Sequence, residues 1–211
     1  MSGEFINIFN VPGRICALEL NIESLIEFCY EMKRKDAKGV SYTNIGGWQS
    51  KNIRGQIFQE FPELENKLVE EVNLFHDELQ FKSIRSMHSW GQKVYRQDID
   101  NIWININQKG HLNDWHNHPQ SIFSGCFYLT KSKSQIIFEH PFREFSTHYW
   151  DQAILEEPNS ANSARWHGPP PEPGELMLFP AWLYHKVDVH EEDTDRISLA
   201  FNTIMTKRGR G

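Results

Sequence analysis

The chain has 211 residues, 39% of them hydrophobic and 24% charged, with a formal net charge of -6 at pH 7. That length and balance give room for a sizeable core and argue against disorder. An acidic chain with no basic face is not built to grip nucleic-acid phosphates. Cys16, Cys29 and Cys126 show no Cys-x-x-Cys spacing, which points away from a disulfide framework and toward a reducing, cytoplasmic compartment. Residues 1–5 lack the basic and apolar regions of a leader, and no apolar run reaches the roughly 18 residues of a membrane span, so neither is expected.

Residues 5–20 alternate polar and apolar around Pro12-Gly13, which predicts short strands over 6–10 and 15–20. The period then lengthens. Ile22, Leu25, Ile26, Cys29 and Met32 recur at three and four, with Asn21 as a cap and Gly39 past the end, predicting a helix over 22–37. Residues 42–50 read as a loop tied to the core through Trp48 and the Gly46-Gly47 pair. A second helix is expected over 62–81, where Leu64, Leu68, Val69, Val72, Phe75 and Leu79 make one stripe. His76 lies beside that stripe and reads as a packed or exposed histidine, not a ligand.

After residue 89 the pattern is mostly β. Over 101–107, Ile102, Ile104 and Ile106 share one face while Trp103, Asn105 and Asn107 share the other. Amides and an indole on one face fit a strand lining a polar cavity; an edge strand with its amides in water is the alternative. Residues 115–130 place His116 and His118 at the mouth of an apolar, aromatic run that reads as a buried strand. Ile136–Glu139 is a further strand. Residues 140–173 form a long excursion, a lid or binding loop, with a short strand around Arg165–His167. Residues 174–180 turn into a buried strand that continues to His185, and 196–202 make a strand opening with Arg196. Without repeats or linkers, the reading is one domain over 1–211, with a strand-and-helix flank over 1–90 and a β core over 91–205.

In an extended chain, residues i and i+2 point to the same side, with Cβ atoms roughly 6–7 Å apart. Two imidazoles at that spacing can converge on one metal ion. His185 follows His116 by 69 residues, and Arg196-Ile197-Ser198 begins eleven residues later.

This order resembles the 2-oxoglutarate and Fe(II) dependent oxygenase superfamily, whose signature is His-x-Asp/Glu, a distal His, then Arg-x-Ser about ten residues on. Within it the chain is similar to a family with His-x-His-Pro, Ser-Gly-x-x-Tyr-Leu and Phe-Pro-x-x-Leu-x-His, here His116 to Pro119, Ser124 to Leu129 and Phe179 to His185; Gly47-Trp48-Gln49-Ser50 also matches its N-terminal pattern. The resemblance implies a mainly β fold with an α+β flank: a double-stranded β-helix, a cupin-like jelly roll, with N-terminal helices packed on one sheet. It implies an enzyme, a dioxygenase that uses Fe(II) and couples decarboxylation of 2-oxoglutarate to oxidation of a substrate C–H bond. It implies that Arg196 holds the distal carboxylate of 2-oxoglutarate and that Ser198 adds a hydrogen bond.

The departure is His118, where the superfamily usually has a carboxylate. His118 can itself ligate, giving a three-histidine site with His116 and His185; water or halide can fill its place; or Asp114 can substitute. Tyr128 could bond the co-substrate or simply pack in the core. Trp103, Asn105, Asn113 and Arg143 are candidates for the substrate pocket. The expected partner is a small-molecule or other, unknown substrate, with no nucleic-acid or membrane partner, and a homodimer is left open. The rivals are a three-histidine cupin-type metalloprotein and a jelly-roll binding module, neither of which needs the cation of Arg196-Ile197-Ser198.

Overall fold

The computed structural model describes residues 4, 8–81, 94–142, 155–157, 159 and 161–208. Two antiparallel sheets face one another. The larger has six strands in the order β1 (Arg14–Ala17), β9 (Glu175–Pro180), β6 (Phe123–Tyr128), β11 (Arg196–Arg208), β4 (Val94–Asn107), β3 (Trp48–Gln49). The smaller has β2 (Asn44–Ile45), β5 (Leu112–His116), β10 (His185–Val187), β7 (Ile136–Glu139) and β8 (Arg165–His167), in that order. Neighbours far apart in sequence, such as β6 between β9 and β11, are the crossovers of a double-stranded β-helix, as the sequence reading expected.

Period-2 alternation sets the two faces of the large sheet. Ile102, Ile104 and Ile106 of β4, with Ile197, Leu199 and Phe201 of β11, are essentially fully buried and belong to the main core. The same core takes Leu25, Phe28 and Cys29 from α1 (Ile22–Lys35) and Leu64, Leu68, Val72 and Phe75 from α3 (Pro62–Glu78). The helices therefore cover the outer face of this sheet, and each such side chain contributes about 1.5–3 kcal/mol on burial. Asn21 Oδ1 accepts from the Ser24 N–H at 3.1 Å and caps α1. Pro62 opens α3. His76 is buried, with Nδ1 3.1 Å from Gln97 Nε2 and its ring stacked on Phe81.

Several boundaries differ from expectation. Residues 8–10 form no strand, and residues 5–7 lie outside those described. A short helix, α2 (Arg54–Glu60), carries no long periodic stripe to announce it and buries only Ile57 and Phe58. The expected loop over 42–50 contains β2 and β3; Trp48 is buried and donates from Nε1 to the Asp36 carbonyl at 2.9 Å. At Gly47 a Cβ would stand 2.2 Å from Asn107 Oδ1, so any larger residue would have to displace that buried amide for the loop to lie against β4. Residues 115–130 are not one strand: β5 ends at His116 in the small sheet, and the chain crosses to begin β6 in the large one. Likewise β9 ends at Pro180, a turn follows, and His185 opens β10 in the opposite sheet. Among the described residues no helix is long and apolar enough to cross a membrane.

Candidate metal and co-substrate site

The inner faces of the two sheets enclose a cavity of about 470 Å³. From the small sheet, His116 of β5 and His185 of β10 are direct register partners with ring centroids 4.3 Å apart. His118 lies beyond the end of β5, so period-2 geometry does not place it. A backbone hydrogen bond does: its N–H donates to the Ala181 carbonyl at 2.9 Å, tying the turn after β5 to the turn before β10. Its ring then sits 5.1 Å from that of His116 and 5.2 Å from that of His185. One ring nitrogen from each residue lies within 4.8 Å of the other two, close enough for all three to converge on one metal ion.

Two of the rings are oriented by backbone carbonyls. Nδ1 of His116 is 2.6 Å from the Asp114 carbonyl, and Nδ1 of His185 is 2.8 Å from the Leu183 carbonyl. A carbonyl only accepts, so each Nδ1 carries the proton and Nε2 keeps its lone pair for the cavity. Burial lowers the pKa of all three rings. For His118 burial and neighbouring His116 bring it down to about 4; His116 is also lowered, its burial partly offset by Asp114; His185 lies well below the usual range, again through burial first. Neutral imidazoles are the form that ligates. Asp114 is exposed, its carboxylate accepts from the Trp115 N–H at 2.8 Å, and it stands outside the histidine cluster.

From the large sheet, β11 sends Arg196, Ser198 and Ala200 into the cavity beside Asn107, Asn105 and Trp103 of β4. Tyr128 of β6 is the register partner of Ser198. Arg196 is 1% exposed and stacks its guanidinium 5.4 Å over the Tyr128 ring. Its Nε and Nη2 have no hydrogen-bond partner, nor does the buried Tyr128 hydroxyl, and no carboxylate of the described residues pairs with the guanidinium. A buried cation without a counter-charge is costly, and here it opens on the cavity that the histidines line. Its planar donor fork suits a carboxylate. Burial raises the Tyr128 pKa well above the usual range, so the hydroxyl stays a donor.

The structure thus brings together His116, His118, His185, Arg196, Ser198, Trp103, Asn105 and Asn113 around one cavity, with Tyr128 against Arg196. Arg143 lies outside the described residues. Sequence reasoning missed Lys51, Asn52, Asn117 and Cys126, which also line the cavity. Gln49 and Ser50, noted only as part of a motif, line it too.

Facing antiparallel sheets with a histidine cluster between them define a double-stranded β-helix metalloenzyme architecture. Residues 101–202 match the family described as "Putative 2OG-Fe(II) oxygenase", and over that stretch the chain is similar to these 2-oxoglutarate and Fe(II) dependent enzymes. The fold is shared with solved structures of low identity. A prolyl-4-hydroxylase from Pseudomonas putida is 14% identical over 95% of this chain and 94% of its own, with a TM-score of 0.52. The non-heme alpha ketoglutarate dependent epimerase SnoN from nogalamycin biosynthesis is 10% identical over 92% and 78%, with a TM-score of 0.60. HygX from Streptomyces hygroscopicus, with nickel and 2-oxoglutarate bound, is 9% identical over 92% and 82%, with a TM-score of 0.58. Among curated proteins, none matches.

Proposed function

We propose that the chain, acting as one domain over 1–211, is a hydroxylase that converts an unidentified small molecule R–H with 2-oxoglutarate and O₂ into R–OH, succinate and CO₂. In this reading His116, His118 and His185 are the iron ligands, and Arg196, Ser198 and Tyr128 hold the co-substrate. The observation that carries it is Arg196: buried, without a counter-ion, and facing the cavity of the histidine cluster. That cation favours a dianionic co-substrate over the cupin-type and binding-module readings. Bound iron supplies the site that activates dioxygen. The protein's own residues orient and exclude. The Asp114 and Leu183 carbonyls hold two imidazoles in the ligating tautomer, the Arg196 fork takes the distal carboxylate in two parallel bonds, and the Tyr128 hydroxyl donates a third. Three cysteines outside any disulfide, two of them buried, suit a reducing cytoplasm.

The test is calorimetric titration of Mn(II)-loaded protein with 2-oxoglutarate, followed by succinate release from Fe(II)-loaded protein in oxygen. Saturable binding that disappears in Arg196→Ala supports the assignment. Equal 2-oxoglutarate affinity in wild type and Arg196→Ala overturns it.

A further inference from the structure

The cavity is longer than a co-substrate needs. Along β11 the lining residues run Arg196, Ser198, Ala200, a span of about 13 Å at roughly 3.3 Å per residue, and Asn202 continues the row behind the wall. A five-carbon diacid held at Arg196 fills only the near end. At the far end a ladder of polar side chains crosses three strands: Ser124 Oγ donates to Asn202 Oδ1 at 2.7 Å, Asn202 Nδ2 donates to Asn101 Oδ1 at 3.1 Å, and Asn101 Nδ2 donates to Asp100 Oδ2 at 3.1 Å. Ser124 and Asn101 line the cavity, and Asn202 holds them in register.

Two further amides line the cavity with opposite ends committed. Asn52 Oδ1 accepts from the N–H groups of Arg54 and Ile102, at 3.0 and 3.3 Å, leaving its NH₂ for a ligand. Asn117 Nδ2 donates to the Trp182 carbonyl at 3.4 Å, leaving its oxygen. The lining therefore offers both a free amide donor and a free amide acceptor. A hydroxyl both donates and accepts, whereas an ammonium only donates and a carboxylate only accepts. Trp103 supplies a flat apolar wall 5.6 Å from the His118 ring, next to the proposed metal position. None of the described residues lining the cavity is Asp or Glu, while Lys51 and Arg196 both do.

We infer that the outer half of the cavity is a substrate subsite for a hydroxyl-rich, non-cationic small molecule, a sugar or a sugar acid, laid against Trp103 and bonded by the uncommitted ends of the Asn52 and Asn117 amides. This deepens the oxygenase reading and rests on it for the placement of the reacting carbon. Asp100 accepts from Asn101 Nδ2 but does not itself line the cavity, so an amino sugar meets no carboxylate in the described lining to repay its desolvation.

The test is calorimetry on Mn(II)- and 2-oxoglutarate-loaded protein with methyl aldohexosides, the matching uronates, glucosamine and N-acetylprolinamide as probes. Saturable binding is expected for a glycoside, a uronate or both, with glucosamine at least about tenfold weaker. The two arms separate a neutral sugar from a sugar acid. Asn52→Asp, at an exposed position where the Arg54 and Ile102 N–H groups still have an acceptor, adds a carboxylate to the described lining. It is expected to weaken a uronate at least about tenfold and to strengthen glucosamine. Trp103→Ala is expected to lose the sugar in either form. The inference is overturned if glucosamine or the prolinamide binds tightest, if no glycoside or uronate binds, or if Asn52→Asp leaves the order of affinities unchanged. Failure of the Mn(II) and 2-oxoglutarate step instead counts against the oxygenase assignment, and titrating unloaded protein with the same probes still decides the subsite.

Discussion

His116 and His185 are register partners across the β5–β10 pair, each with Nδ1 fixed on the backbone carbonyl two residues before it. The pair is preorganised, and its geometry depends on sheet pairing, not on loop position. His185→Ala is therefore expected to leave the sheets intact while lowering Mn(II) affinity at least about 100-fold, more than loss of an outer-sphere partner costs. Thermal melts with and without Mn(II) read this directly, because a ligand bound only by the native state raises the melting temperature. An undiminished metal-dependent shift in the variant would remove His185 from the site.

Arg196 predicts an opposite effect on stability and on binding. The buried guanidinium has no counter-ion among the described residues, so the free protein bears its desolvation cost. Replacing buried ionic groups by apolar ones of similar volume is often neutral or stabilising by about 1–4 kcal/mol. Arg196→Met is thus expected to match or exceed wild-type stability in urea while 2-oxoglutarate binding is lost. A variant destabilised by several kcal/mol would mean that the guanidinium holds the fold together.

What the sequence made legible was periodic. The alternation of Ile102, Ile104 and Ile106 against Trp103, Asn105 and Asn107 separated core face from cavity face, and the stripes of α1 and α3 identified the covering helices. Sheet membership was not legible. Local pattern cannot tell that His116 and Phe123 lie in opposite sheets, because both stretches look alike to a two-residue period. The placement of His118 also rests on a partner 63 residues away, the Ala181 carbonyl, so its proximity to His185 comes from tertiary pairing and not from i, i+2 spacing. Cavity residues such as Asn52 and Asn117 sit in turns with no periodicity to mark them.

Gly125 and Phe201 are register partners on β6 and β11, and a Cβ on Gly125 would stand 2.2 Å from the tip of the Phe201 ring. Phe201 is fully buried, so the ring has little room to retreat. Gly125→Ala is expected to cost about 1–3 kcal/mol by overpacking. Phe201→Leu in the same chain should recover part of that loss, giving a favourable coupling in a double-mutant cycle followed by chemical denaturation. Additive losses would show that the two positions do not compete for the same space.

Cys29 is buried in the main core, and burial pushes its thiol well above the usual range; Cys126 is raised by burial too, and Cys16 reaches about 12 through burial and its neighbour Glu71. In the unfolded chain a thiol ionises near about 8.5. Above that pH the unfolded state releases protons that the native state keeps, so stability falls as pH rises; below it the two states hold the same number and the effect vanishes. Each buried thiol is expected to remove on the order of 1 kcal/mol per pH unit above about 8.5. Half-buried Cys16 should remove less, because solvent screens it. Urea midpoints at pH 7.5 and 9.5 measure the slope, and Cys29→Ala isolates one thiol from the tyrosines and lysines that titrate nearby in pH. The variant is expected to start less stable, by the methyl-sized cavity it leaves, and to lose less between the two pH values. Equal losses in variant and wild type would mean that the Cys29 thiol ionises as readily in the core as in water.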